Sequence, residues 1–98
     1  MINSKEYWEE RFSTGDWDTY GGQDQTYFFY ELALSNLPQW LISDIKENNL
    51  SIIDIGCAEG IGTALLKGSF SRSRVVGIDF SKSAIQQAEE RYVQCEFK

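Results

Sequence analysis

Apolar and polar positions follow two different schedules along this chain, and the change falls near residue 50. Before it, apolar residues recur at helical spacing. Tyr7, Trp8 and Phe12 give a first helix one aromatic face, with Arg11 beside them. Asn3 or Ser4 can cap this helix, and Glu6, three residues after Asn3, completes the pattern of a capping box. The stretch STGDWDTYGGQD, residues 13–24, is rich in Gly, Ser and Asp and is expected to be a loop. A second helix is expected from about Thr26 to Ser35, with Tyr27, Phe28, Tyr30, Leu32 and Leu34 as its apolar cover. Pro38 suits the first turn of a third helix, Gln39 to Glu47, in which Trp40, Leu41 and Ile45 keep helical spacing.

From Leu50 that period disappears. SIIDI, residues 51–55, is a short, nearly continuous apolar run, the mark of a strand buried on both faces of a parallel sheet. IGTALLKG, residues 61–68, reads as a helix with Gly68 as its stop. RVVGID, residues 74–79, is a second such run. Ser81 is a good N-cap for KSAIQQAEERY, and VQCEF, residues 93–97, reads as a third strand. The order is strand–helix–strand–helix–strand, which predicts parallel pairing through right-handed crossovers. No repeat and no low-complexity tract interrupts it.

Composition narrows the function classes. At 98 residues the chain is one domain at most, and 42% apolar content is enough for a packed core. A net charge of −6 argues against a nucleic-acid partner, which needs a basic surface. No apolar run approaches the ~20 residues of a membrane span, and the N-terminus does not resemble a signal peptide, so no membrane partner is expected. Cys57 and Cys95 match no metal spacing and are expected to be reduced, in a cytoplasmic protein. Histidine is absent, which removes imidazole acid–base chemistry, His-based triads and His–metal sites together.

The chemistry concentrates in IIDIGCAEGIGTALL, residues 52–66. The strand ends on an acid, Asp54, and small residues then follow at alternate positions: Gly56, Ala58 and Gly60. Ligands of open parallel sheets bind where such a strand turns into its helix. Glycine there admits positive φ and lets a ligand touch the backbone, and the next helix's amides receive a negative group. A tight turn with no ligand is the plainer alternative. The dinucleotide fingerprint, with Gly at the first, third and sixth positions, fails: one register gives Gly56, Ala58, Ile61 and the other Gly60, Gly62, Leu65. The phosphate loop with its Lys-Ser/Thr ending is absent as well.

Asp54-x-Gly56-x-Ala58-x-Gly60 instead resembles motif I of the class I S-adenosylmethionine-dependent methyltransferases. VVGIDFSKSAIQQAEER resembles their next motif, an acid ending strand two before a Ser-capped helix. The resemblance implies an α/β, Rossmann-like three-layer sandwich. Residues 1–49 would form an N-terminal helical lid, and residues 50–98 the first half of the cofactor-binding domain, parallel strands one to three. It implies S-adenosyl-L-methionine as cofactor, with S-adenosyl-L-homocysteine as product. Gly56, Cys57 and Ala58 would form the loop whose backbone faces the methionine part, with Ala58 in place of the more usual Gly and slightly narrowing the pocket. Asp54 would face the methionine amino group, directly or through water, or else cap the loop amides. Asp79 would accept both ribose hydroxyls, or else cap the following helix. Phe80 would lie on the adenine face, or else in the core. Glu59 is expected to point away into solvent.

Similar methyltransferases close an N-terminal helix and loop over the cofactor, and the segment is loosely similar to small-molecule methyltransferases of the nodulation N-methyltransferase type. Tyr7, Trp8, Arg11, Tyr20 and Gly21 are the lid candidates; plain packing of aromatic helices on the sheet is the alternative. The family's sheet has seven strands, with strand four beside strand one. This chain reaches strand three, so the acceptor side and its catalytic residues would lie beyond residue 98. The expectation is a truncated product, inactive alone, or a chain that pairs with a partner, self-association through the open edge of strand one included. Two functions follow: the cofactor-binding portion of a methyltransferase acting on a small-molecule acceptor, or a non-catalytic module that pairs through its sheet edge.

Overall fold

The computed structural model describes residues 3–98. Four helices lead: α1 (Lys5–Ser13), α2 (Asp16–Thr19), α3 (Gly22–Ser35) and α4 (Gln39–Asn48). Then β1 (Ile52–Ile55), α5 (Ile61–Ser69), β2 (Val75–Ile78), α6 (Lys82–Arg91) and β3 (Glu96–Phe97) follow in alternation. The strands form one parallel sheet in the order β1-β2-β3, with Ile52 opposite Val75 and Val76 opposite Glu96. This is the first half of a Rossmann-like fold, as the alternation predicts.

Local chemistry sets most boundaries. Ser4, not Asn3, caps α1, its Oγ accepting the Tyr7 N–H at 3.1 Å. Ser81 caps α6 by accepting the Ala84 N–H at 3.2 Å. Pro38 sits at the N-cap of α4, one residue before its first turn. The segment 13–24 is less of a loop than its composition implies, because it contains α2 and opens α3. Trp17 explains this: its indole packs on Trp8 and Phe12, with ring centroids 5.8 and 5.2 Å away, and lies flat on the bare Cα of Gly22. Gly68 does not stop α5. The helix runs one residue further, and the Phe70 N–H closes it on the Leu66 carbonyl at 2.9 Å. Lys67 Nζ then holds the carbonyls of Ser71 and Ser73 at 3.0 and 2.7 Å. The third strand is shorter than VQCEF, since the Cys95 N–H turns back to the Tyr92 carbonyl at 3.1 Å.

The core sits between α6, β3 and the turn after β1, where Cys57, Ala88 and Phe97 meet against Ile85, Tyr92 and Cys95. The expectation that β1 is buried on both faces is corrected. Its Asp54 face is covered, while Ile53 and Ile55 are 64% and 79% exposed. Burial follows the face first: Val75 and Gly77 of β2 are buried on the side they share with Ile52 and Asp54, while Val76 and Ile78, opposite Ile53 and Ile55, are only half-buried. The apolar cover of α3 is likewise divided. Tyr30 and Leu34 are half-buried, but Tyr27, Phe28 and Leu32 face out. Among the described residues no helix is long and apolar enough to cross a membrane.

Candidate functional site

At the carboxyl end of β1 the chain makes a tight loop through three left-handed residues, Gly56 (φ 75°), Ala58 (φ 52°) and Gly60 (φ 95°). The two glycines serve different ends. A Cβ on Gly60 would stand 2.8 Å from Phe97 and 2.9 Å from Ala88, so this glycine lets α5 begin against the core. A Cβ on Gly56 would meet nothing within 4 Å. Its bare backbone faces open space, as a backbone that receives a ligand must. The Gly56 and Cys57 N–H groups both donate to the Ile78 carbonyl, at 2.8 and 2.9 Å, and tie the loop to β2.

Two carboxylates brace this loop. Asp79, just past β2, accepts the Ala58 N–H on Oδ2 at 3.0 Å and the Ser81 N–H on Oδ1 at 2.9 Å. It thereby joins the two crossover turns, and its remaining lone pairs stay free to accept hydroxyl donors. Asp54 is buried beneath the loop. Its Oδ1 accepts the Tyr30 hydroxyl at 2.5 Å and its Oδ2 the Thr63 hydroxyl at 2.7 Å. Its carboxylate thus joins α3 and α5 through hydroxyls. Burial, and then the Asp54 carboxylate, push the Tyr30 phenol well above its ordinary value, so Tyr30 stays a donor. Gly62 makes room for that ring, since a Cβ there would drive into it.

A cleft opens above the loop. One part, of about 450 Å³, is lined by Ile55, Gly56, Ile78, Asp79 and Phe80. A second, of about 300 Å³, shares Gly56, Asp79 and Phe80 and is walled by Ala58, Trp8, Phe12 and Trp17. Phe80 is 50% exposed, on the cleft rather than in the core. Of the residues named from sequence, Gly56, Ala58, Asp79 and Phe80 line this cleft. Cys57 gives the loop its backbone, but its side chain is buried and its thiol is pushed up to about 12, by burial first and then by Asp79 and Asp54. Asp54 and Gly60 support from below.

The N-terminal helices form one wall. Glu9 reaches from α1 to the start of α6, accepting the Ser83 N–H at 2.9 Å and the Ser81 hydroxyl at 3.3 Å, and these bonds hold its carboxyl below the usual range. Gln87 Nε2 donates to the Phe12 carbonyl at 3.1 Å. Among the lid candidates, Trp8 lines the cleft, and the Arg11 guanidinium lies 5.9 Å from its ring and 5.7 Å from the Tyr7 ring. Tyr20 stands 75% exposed away from the cleft, and Gly21 caps α3. Glu59 is a correction. It is 3% exposed rather than solvated, because Gln23 and Arg91 converge on its Oε1 at 3.2 and 3.0 Å. Sequence reasoning missed Tyr30, Thr63, Glu9 and Trp17. Only Thr63 left a local trace, a hydroxyl in the first turn of the helix after the Asp54 strand.

Residues 46–98, more than half of the chain, match the model of a family described as a methyltransferase domain. The chain is also similar to trans-aconitate 2-methyltransferases. That of Paracidovorax citrulli is 44% identical over 46 residues, 47% of this chain and 18% of the relative. That of Variovorax paradoxus is 38% identical over 47 residues, 48% of this chain and 18% of the relative. That of Escherichia coli strain K12 / DH10B is 37% identical over 51 residues, covering 52% and 20%. The matched segment spans about a fifth of these relatives' length. Residues 46–98, which the family model matches, contain both acid-terminated strands and the glycine loop between them. The chain belongs to the methyltransferase-domain family, in agreement with the resemblance of its motifs to the class I S-adenosylmethionine-dependent methyltransferases.

Proposed function

We propose that the cleft above Gly56 binds S-adenosyl-L-methionine and that the chain is the cofactor-binding portion of a methyltransferase acting on a small-molecule acceptor. The observation that carries this reading is the pairing of a backbone left bare at Gly56 with the partly buried Asp79 carboxylate across one apolar cleft. The residues fit the group: a flat apolar surface at Ile78 and Phe80 for the adenine, carboxylate lone pairs at Asp79 for the ribose hydroxyls, and the open Gly56–Ala58 backbone for the methionine end. Bound there, the cofactor supplies an electrophilic sulfonium methyl. The protein's part is to position and to exclude water. Asp54, through Tyr30 and Thr63, fixes the level of the loop, and Trp8, Phe12 and Trp17 wall the site. A small acceptor agrees with the relatives, whose name gives trans-aconitate as their substrate.

The interaction-module alternative draws on one observation, the exposed Ile53 and Ile55 on an unpaired strand edge. Calorimetry separates the two. Adenosylhomocysteine is expected to bind and NAD not to. Gly56→Val is expected to abolish binding by filling the approach and straining a φ of 75°. Asp79→Ala is expected to weaken it by about 1–3 kcal/mol. Tight NAD binding without adenosylhomocysteine binding would end the cofactor reading.

A further inference from the structure

Glu59 lies inside the loop that faces the cleft, yet it contacts no part of the cleft itself. Its carboxyl is buried where α2, α3 and α6 converge. Gln23 of α3 and Arg91 of α6 both donate to Oε1, at 3.2 and 3.0 Å. Oε2 is out of reach of solvent and receives no donor. The charged groups facing Glu59 are Arg91 from α6 and Asp18 from α2, which share one guanidinium. The Arg91 guanidinium reaches Glu59 at 3.0 Å but Asp18 only at 3.6 Å. One cation therefore stands between two carboxyls, and it serves the buried one first.

An ionised Glu59 does not suit this arrangement. Its Oε2 would be a buried anionic oxygen with no donor, facing a second carboxylate, which is costly in a poorly solvated site. A protonated Oε2 suits it well: it becomes a donor, and Asp18, which meets the same Arg91 guanidinium, is the neighbouring carboxylate to accept it. We propose that Glu59 is a positioning residue that works as a neutral carboxyl, its Oε2 proton shared with Asp18 and tying α2 down on the cofactor loop. This rests on the cofactor reading of the cleft only for its consequence. The tie fixes Ala58 and Gly60 from one side and Trp17, next to Asp18, from the other, so it holds the aromatic wall against the loop.

The sign of the pH dependence follows. Burial first, and then Asp18, raise the Glu59 carboxyl above its ordinary 4.5, while Gln23 and Arg91 pull it down. A group raised in the tied state stabilises that state fully below its ordinary value. The contribution is lost as pH rises through the raised one.

The test needs no cofactor. Hydrogen-exchange protection of the Thr19, Tyr20 and Gly21 amides, corrected for intrinsic rates, is followed between about pH 5 and about pH 8. Wild type is expected to lose protection with rising pH, by up to about tenfold per pH unit where the tie titrates. Glu59→Gln, a neutral carboxamide of the same shape, is expected to keep the acid-side protection throughout. So is Asp18→Asn, whose side chain is a third exposed and whose amide donates to the Glu59 carboxylate. Asp18→Asn carries the test alone should Glu59→Gln fail to fold. A flat wild-type profile, or either variant retaining the wild-type slope, overturns the proposal. Adenosylhomocysteine affinity is measured in parallel and is expected to follow the same profile. Titrating protection with no adenosylhomocysteine binding would overturn the cofactor reading and leave the tie standing.

Discussion

The two faces of β1 differ sharply in what they bury. On one, Asp54 is 8% exposed and holds hydroxyls from α3 and α5. On the other, Ile53 and Ile55 stand in solvent. Asp54 is buried deeper than any isoleucine of the strand, half-buried Ile52 beside it included, while Ile53 and Ile55 are outside, against what a hydropathy pattern predicts for a half-covered strand. Each face has its own cause. Asp54 repays burial because it finds two neutral donors and fixes the loop above it. The isoleucines remain outside because no described element covers their face of the sheet, where Val76 and Ile78 of β2 are also only half-buried. The brace beneath the loop is therefore built on one face of the strand, while the other is open surface that meets the site only where Ile55 lines the cleft.

The comparison breaks most severely at Asp54. Asp54→Ala leaves the Tyr30 phenol and the Thr63 hydroxyl without their acceptor inside the fold. Each such bond to a charged group is worth about 1.5–3 kcal/mol, so a loss of about 3 kcal/mol is expected even if water replaces part of it. Urea denaturation measures this, and Tyr30→Phe should account for roughly half of it. A loss below about 0.5 kcal/mol, the size of a surface change, would mean that Asp54 does not organise its face.

Why Asp54 was legible as important but not as a brace is a matter of range. The strand, the glycine loop and the capped helix are local: Ile52 to Gly60 and Asp79 to Ala84 encode turn, strand and cap within a few residues. Tyr30 meets Asp54 from 24 residues away, and Glu9 meets Ser83 from 74. No spacing rule joins such pairs, since a tyrosine on an aromatic helix looks the same whether its hydroxyl finds a partner or not. Glu59 was misread for a related reason. A charged residue between small ones in a turn is usually solvated, and only the arrival of α2, α3 and α6 buries it. Trp17 turned an apparent loop into α2 by packing that composition does not register.

A smaller effect is expected within the loop itself. Ala58 adopts φ 52°, where an L-residue with a Cβ is strained by about 1–2 kcal/mol. Glycine removes that strain but adds freedom to the unfolded chain worth about 0.4–1 kcal/mol. Ala58→Gly is therefore expected to stabilise the fold by up to about 1 kcal/mol, seen as a higher Tm. The Asp79–Ala58 bond uses the backbone N–H and survives the change. A destabilised variant would mean that the Ala58 methyl packs usefully against the wall of the cleft.

The smallest effect on stability belongs to the open face, and there the readout is association. We propose that β1, with an unpaired edge and two exposed isoleucines, draws a second copy of this chain at micromolar concentration, since an uncovered apolar edge strand is a template for pairing. A net charge of −6 on each copy opposes this, so the association should strengthen with added salt, as screening shortens the repulsion. Ile53→Lys and Ile55→Lys place charge on that face without touching Asp54, Tyr30 or Thr63. Each is expected to leave unfolding free energy within about 0.5 kcal/mol of wild type, as surface changes do, while shifting sedimentation toward monomer. A monomeric wild type at high salt would remove the edge as an interface. A large stability loss in either lysine variant would mean that the outer face of β1 is packed after all, and the contrast between its two faces would fall.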